Sequence, residues 1–186
     1  RESDTAELYK VVTHGTPDSM AAHAKRIIAD GFRRIQVKVG GNVRADIEAL
    51  TAVAGAVPKG TVIFCDANAG WTSFQARQFA DATRAIDYTF EQPCRTLDEN
   101  MAVRRACDKP LVLDESVQSL DDLLAIHRLG VADGLTLKIA RIGGVSKTRL
   151  LRDVAAEIGY IFSFDDTATT EIDTAAMAHL SLSTPE

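Results

Sequence analysis

Short apolar runs rich in β-branched residues recur along this chain, and between them lie longer stretches in which apolar residues return every three or four positions. The runs that read as strands are ELYKVVT from Glu7, RIQVKV from Arg34, TVIFCDA from Thr61, YTFEQ from Tyr88, LVLDE from Leu111, GLTLKI from Gly134 and YIFSF from Tyr160. The helical stretches include DSMAAHAKRIIADG, VRADIEALTAVAGAV, SFQARQFADATRAI, LDDLLAIHRLG and SKTRLLRDVAAEIG, while TLDENMAVRRACD carries only a thin apolar stripe. Asp18 or Ser19, Ser73, Ser119 and Ser146 are candidate N-caps, and Gly31, Gly130 and Gly159 stand where helices should end.

Seven strand–helix units of roughly 25 residues each predict an α/β fold with parallel strands and helical crossovers. Two architectures have that pattern, a (β/α) barrel and an open doubly wound sheet. No GxGxxG follows the first strand, and polar residues end nearly every strand, as expected when all the C-terminal strand ends face one site. The barrel is therefore the expectation. A barrel of this type uses eight strands and about 250 residues, whereas the 186 residues here run into a seventh helix, AAMAHLSLSTPE. The whole of 1–186 reads as one partial (β/α) TIM-type barrel domain of about seven units, with its last strand outside the chain.

Alternation along a strand puts Phe64 with Asp66, Thr89 with Glu91, and Val112 with Asp114. Asp66 and Glu91 are 25 residues apart and Glu91 and Asp114 are 23, one repeat in each case, so the three acids are expected side by side at one rim. Alternation alone does not choose between Asp114 and its neighbour Glu115. Three such carboxylates repel unless a cation holds them, and an all-oxygen set suits a hard ion such as Mg²⁺. Taken singly, each acid could equally cap the next helix or pair with an arginine. Lys38 and Lys138 end the strands before and after this set, the second and sixth positions of eight, and are expected to face the two sides of a bound molecule. Burial beside a divalent cation disfavours an ammonium, which would leave a neutral amine to act as base. The alternative for both lysines is a salt bridge to the acids or a snorkelling side chain.

Composition narrows the partners. The formal net charge is −5 and no basic tract interleaves with aromatics, which points away from nucleic acid and toward a small molecule. No apolar run is long enough for a membrane span, and the opening RESDTAELYK is too charged for a secretory signal, so a cytoplasmic location is expected. Cys65, Cys94 and Cys107 include no CxxC pair and read as reduced, structural thiols.

The order KVG (Lys38 to Gly40), DAN (Asp66 to Asn68), EQP (Glu91 to Pro93), DES (Asp114 to Ser116) and LKIARIGG (Leu137 to Gly144) resembles the enolase superfamily, in its mandelate racemase/muconate lactonizing enzyme family, muconate lactonizing subgroup. The resemblance implies Asp66, Glu91 and Asp114 as Mg²⁺ ligands and Lys38 and Lys138 as the acid/base pair, removing the α-proton of a carboxylate substrate to give an enediolate. It also implies an N-terminal capping domain, not among these residues, and a homo-oligomer at full length. The text QVKVGG, the ending EQPC at Cys94, and DDTATTEIDTAAMAHLSLSTP are similar to members acting on proline derivatives, the cis-3-hydroxy-L-proline dehydratases and the proline-betaine epimerases. Dehydration of a proline-type hydroxy amino acid is thus the leading expectation, with racemisation or epimerisation of an amino acid or betaine, or cycloisomerisation, as alternatives. The family's KxK on the second strand is here Gln36-Val37-Lys38, which removes one positive charge beside Lys38.

Around this set, Glu115 is expected to turn away from Asp114 and pair with Lys138 or Arg141. Asn68 either orients a ligand or serves as a turn residue, and Asp165 and Asp166 either meet a substrate ammonium or cap the helix starting near Thr170. His14 is the one histidine at the expected rim, where contact with substrate competes with simple solvation, and Trp71 reads as loop packing. RIGGVSKT lacks the glycine directly before Lys147 that a phosphate loop requires. A catalytically silent barrel fragment and a phosphate-binding barrel are the competing readings from other classes.

Overall fold

The structure is a computed structural model that describes residues 5–165 and 170–184. The described residues form seven strands, each followed by a helix, in two compact units, residues 8–111 and a second built mainly from the described residues after 111.

In the first unit the strands are β1 (Tyr9–Val12), β2 (Arg34–Lys38), β3 (Val62–Asp66) and β4 (Thr89–Glu91), parallel and in chain order, and the helices are α1 (Pro17–Ala29), α2 (Val43–Ala56), α3 (Ser73–Ala82) and α4 (Leu97–Arg104). Strand alternation separates two faces. Ile35 and Val37, Ile63 and Cys65, and Phe90 form one buried apolar set, against which α1, α2 and α3 pack their Ile27, Leu50, Val53 and Phe79. The other face carries Gln36 and Lys38, Phe64 and Asp66, Thr89 and Glu91, aligned by the registers Gln36 with Phe64 and Thr89, and Lys38 with Asp66 and Glu91. An aromatic cluster of Trp71, Phe79, Tyr88 and Phe90, with ring centroids 4.8–6.1 Å apart, fills the space behind β3 and β4.

The second unit holds β5 (Leu111–Leu113), β6 (Gly134–Lys138) and β7 (Ile161–Asp165), again parallel and in chain order, with α5 (Leu120–Leu129), the single turn α6 (Ile139–Ile142), α7 (Val145–Glu157) and α8 (Glu171–Leu182). Every residue of β6 is buried, as a central parallel strand should be. The buried Arg152 of α7 fastens the end of α8, its guanidinium donating to the Leu180 carbonyl at 3.0 Å and to the Ser183 hydroxyl at 2.8 Å.

Helix starts differ from several expected caps. Thr16, not Asp18 or Ser19, caps α1, because Pro17 takes the first helical position and has no N–H to satisfy. Thr72, not Ser73, caps α3 through a capping box with Gln75, and Thr96 with Glu99 does the same for α4, which explains how a helix with a thin apolar stripe forms. Ser119 caps α5 as expected. Gly144 rather than Ser146 precedes α7, without a side-chain cap, and the single helical turn α6 ends at Gly143.

Gly134 is required by close approach. A Cβ there would lie 2.8 Å from the Ile161 carbonyl oxygen and 3.1 Å from a Val112 methyl. Gly134→Ala should therefore lower stability by about 1–3 kcal/mol, as overpacking typically does, visible as a reduced urea midpoint; an unchanged midpoint would contradict the β5–β6–β7 packing.

Candidate active site

The C-terminal ends of β2, β3 and β4 place Lys38, Asp66 and Glu91 in one row. Both acids are almost fully buried, at 1% and 3% exposure, on strands whose backbones lie about 4.8 Å apart. Lys38 makes a hydrogen-bonded ion pair with Asp66, whose Oδ1 also accepts the backbone N–H of Asn68 at 2.8 Å. Gln36, one alternation below Lys38, donates from Nε2 to Glu91 Oε2 at 2.8 Å. The position at which the family pattern would have a second lysine thus supplies a neutral donor to a carboxylate.

The loops that follow these strands are joined backbone to backbone. Ala67 N–H donates to the Glu91 carbonyl at 3.1 Å, Ala69 to Gln92 at 2.8 Å and Trp71 to Pro93 at 3.2 Å, extending the pairing past the strands. Asn68, Ala69 and Gln92 have positive φ of 45°, 57° and 34°. Such non-glycine conformations persist only where surrounding contacts hold them. Gly40, at φ 105°, lies so close to the Ala67 carbonyl that no side chain fits. Trp71 donates from its indole to the Gly41 carbonyl at 2.9 Å, which makes it the loop-packing residue expected.

Asp46, which sequence reading passed over, holds the same loop from α2 by accepting the Gly41 and Gly40 N–H groups at 2.9 and 3.2 Å. Burial pushes its carboxyl up, against the opposing pull of those N–H groups and of the nearby His14. His14 itself is exposed in the loop after β1. Asn68 is likewise exposed, and its backbone N–H donates to Asp66. All three cysteines are free, and burial raises each thiol, Cys94 to about 12, in keeping with structural roles.

In the second unit Asp114 follows β5 and is completely buried. Lys138 Nζ lies 2.8 Å from Asp114 Oδ2 and 3.0 Å from Asp165 Oδ2, while the Arg141 guanidinium pairs with Asp114 Oδ1. Arg141 reaches it from α6, so the unexpected helical turn has a role in placing this cation. Asp165 faces Lys138 rather than capping α8, whose N-cap is Thr170. Glu115 is half-buried, and its backbone carbonyl accepts from the Gln118 amide at 3.1 Å. Asp166 lies outside the described residues.

Lys138 is a buried cation facing two acids. Burial works against its charge, but the hydrogen bond and field of Asp114, joined by Asp165, outweigh it and hold its pKa above the ordinary lysine value. Both lysines are ion-paired to strand-end acids.

Among the described residues no group of three or more His, Cys, Asp and Glu side chains is gathered as a ready cation cage. The donor set nonetheless fits a hard divalent ion. Asp66 and Glu91 are buried carboxylates on adjacent strands, an all-oxygen pair of the kind such an ion takes.

A family model described as Enolase C-terminal domain-like matches residues 19–186. The chain belongs to the enolase superfamily. A cis-3-hydroxy-L-proline dehydratase of Roseibium aggregatum is 35% identical over 182 residues, 98% of this chain and 50% of that protein. An o-succinylbenzoate synthase of Mycobacterium ulcerans is 40% identical over 134 residues, 69% of this chain and 39% of that protein. A solved mandelate racemase/muconate lactonizing enzyme from Roseovarius nubinhibens aligns with all of this chain and 51% of its own at TM-score 0.91 and 37% identity, and a putative member from the same organism, complexed with magnesium, aligns at 0.93 and 32% over 98% and 52%. The chain spans about half the length of the curated relatives it matches at most. Its seven βα units match the TIM-barrel part of enolase superfamily proteins. No described helix is long and apolar enough to cross a membrane.

Because the Lys138 pKa is raised, its charged form stabilises this superfamily member fully below about pH 10.4, the ordinary lysine value, and that contribution is lost as the pH rises through the higher folded-state value. With divalent ions removed by EDTA, the parent should exceed Lys138→Met in urea stability at pH 8, and the gap should narrow at higher pH. A gap independent of pH would contradict the ion pairing.

Proposed function

We propose that this chain forms the catalytic half-site region of a Mg²⁺-dependent enzyme that removes the α-proton of a small carboxylate substrate, and that the reaction is dehydration of a proline-type hydroxy amino acid. The observation that carries the reading is the Lys38, Asp66 and Glu91 row at the ends of three adjacent strands, with both acids buried. The Lys138 and Asp114 pair repeats the same chemistry in the second unit.

In this reading Asp66, Glu91 and Asp114 hold Mg²⁺. When bound, the ion would offset the second negative charge that develops on the substrate carboxyl group as the α-proton leaves. Lys38 and Lys138 each act as an amine once released from their acids, one accepting the proton from the α-carbon as general base and the other available as the acid. For a 3-hydroxy substrate, breaking the β-carbon–oxygen bond gives water and an enamine carboxylate once the hydroxyl receives a proton. Gln36 keeps Glu91 oriented without adding a charge to the site. Asp165, beside Lys138, is the residue proposed to meet a substrate ammonium.

Dehydration is favoured by the 35% identity, along nearly the whole chain, to a protein named as a cis-3-hydroxy-L-proline dehydratase. The second reading, epimerisation, shares the proton abstraction and differs only in returning a proton from the opposite face. It is supported by the substrate-liganded L-Ala-D/L-Glu epimerase of Bacillus subtilis, which aligns at TM-score 0.91 and 26% identity.

The protein should dehydrate cis-3-hydroxy-L-proline with Mg²⁺ present, and Lys38→Ala or Lys138→Ala should lower kcat by about 10²–10⁴-fold, the usual contribution of a positioned acid or base. Solvent deuterium incorporation at the substrate α-carbon is the direct check, because exchange undiminished in both variants would remove the lysines from the mechanism. Formation of an epimer without loss of water would favour the second reading.

A further inference from the structure

We infer that Asn100 of α4 is a positioning residue for the Glu91 carboxylate, an inference that rests on the reading of Glu91 as a cation ligand. Asn100 is completely buried, and both ends of its amide are used on one residue of the loop after β4. Its Oδ1 accepts the Cys94 N–H at 3.0 Å and its Nδ2 donates to the Cys94 carbonyl at 3.0 Å. That carbonyl also accepts Nε2 of the fully buried Gln92 at 2.9 Å. The short segment Gln92-Pro93-Cys94 is thereby fixed from both sides, immediately after Glu91.

The segment needs such an anchor. Gln92 is held at φ 34°, a conformation that costs a non-glycine residue on the order of 1–3 kcal/mol and relaxes when its supports are removed. Rotation at Gln92 would swing the peptide that follows Glu91 and loosen the bonds from Ala69 to the Gln92 carbonyl and from Trp71 to the Pro93 carbonyl. Those bonds tie the Glu91 loop to the segment that follows Asp66, so the anchor at Cys94 bears on the separation of both carboxylates.

A purely helical role for Asn100 is not needed. The start of α4 is already secured by the Thr96 and Glu99 capping box, and asparagine is a poor residue for a helix interior. What the position demands is a donor and an acceptor a few ångströms apart, aimed at one peptide unit. Leucine supplies neither, and aspartate keeps the acceptor but loses the donor.

The test compares Asn100→Asp and Asn100→Ala with Val103→Ala, a fully buried apolar truncation on the same helix, and with Glu91→Gln. Calorimetric titration with MgCl₂ gives the affinity, thermal melting gives the stability, and amide hydrogen exchange reports on Cys94 and Trp71. Expected is about a tenfold or greater loss of Mg²⁺ affinity in both Asn100 variants, within the range seen when partners of metal ligands are removed. Exchange at Trp71 should accelerate in both variants, and at Cys94 in Asn100→Ala, while Val103→Ala at a comparable loss of melting temperature should keep its affinity within about twofold. Asn100→Asp, which preserves volume, carries the comparison if Asn100→Ala does not fold. Unchanged affinity in Asn100→Asp, or equal losses in the Asn100 and Val103 variants, would overturn the positioning role while leaving Glu91 as a ligand. A parent that binds Mg²⁺ no better than Glu91→Gln would overturn the ligand reading itself, and this inference with it.

Discussion

An ionised carboxylate shut away from water must be answered by a positive charge or by donors, and the strand ends of this chain are organised by that requirement. Asp66 is answered by Lys38 and the Asn68 N–H, Glu91 by Gln36, and Asp114 by Lys138 and Arg141. Lys38 and Lys138 answer from neighbouring strand ends, Asn68 and Arg141 from the turns beyond strands, and Gln36 from β2, two strands away from Glu91. The polar face of the first unit therefore cannot be filled with the aliphatic side chains that its other face carries. Removing one partner of a buried charge typically costs about 3–5 kcal/mol where nothing else compensates it. The same pairs make the site chemically adaptable, because a carboxylate held by an amine can exchange that amine for a cation of higher charge density.

Precision at the strand ends is maintained by the loops beyond them, and each loop is held by a different device. Asp46 secures the Gly40–Gly41 segment from α2, the Trp71 indole secures it from the next loop, and Asn100 grips Cys94 from α4. These three side chains come from helices or their approaches, not from the strands that bear the acids. Left-handed residues follow Asp66 and Glu91, where a backbone must turn sharply while its preceding carboxylate stays fixed. The helices thus do more than cover the apolar face of the sheet; they hold strained backbone at the functional rim.

Relatives named as a dehydratase, a synthase and an epimerase align with this chain at 26–40% identity. Identity in that range, by itself, does not separate one outcome from another. In the proposed reading the reactions would share a first step, removal of a proton beside a carboxylate, and diverge afterwards, since the fate of a carbanion depends on what else the substrate carries and on where the returning proton stands.

Much of this was legible in the residues. Apolar runs of period two alternating with stretches of period 3.6 determined seven strands and their helices, because solvent sorts side chains by face whatever the final packing. One-repeat spacing placed Asp66 and Glu91 at adjacent strand ends, and the registers agree, since parallel neighbours joined by a helix advance by a nearly constant length. Tertiary structure alone decided the partners. That Gln36 would bond Glu91 and that Arg141 would join Lys138 on Asp114 depend on side-chain reach across strands. Asp46 and Asn100 left no signal of their own, being one acid and one amide on ordinary helices, and neither takes part in a pattern of fixed period. Their roles exist only where a loop brings a peptide N–H within hydrogen-bonding distance. Periodicity is a local property that a chain carries in its order of residues, whereas the compensation of a buried charge is settled by whichever groups the fold brings near.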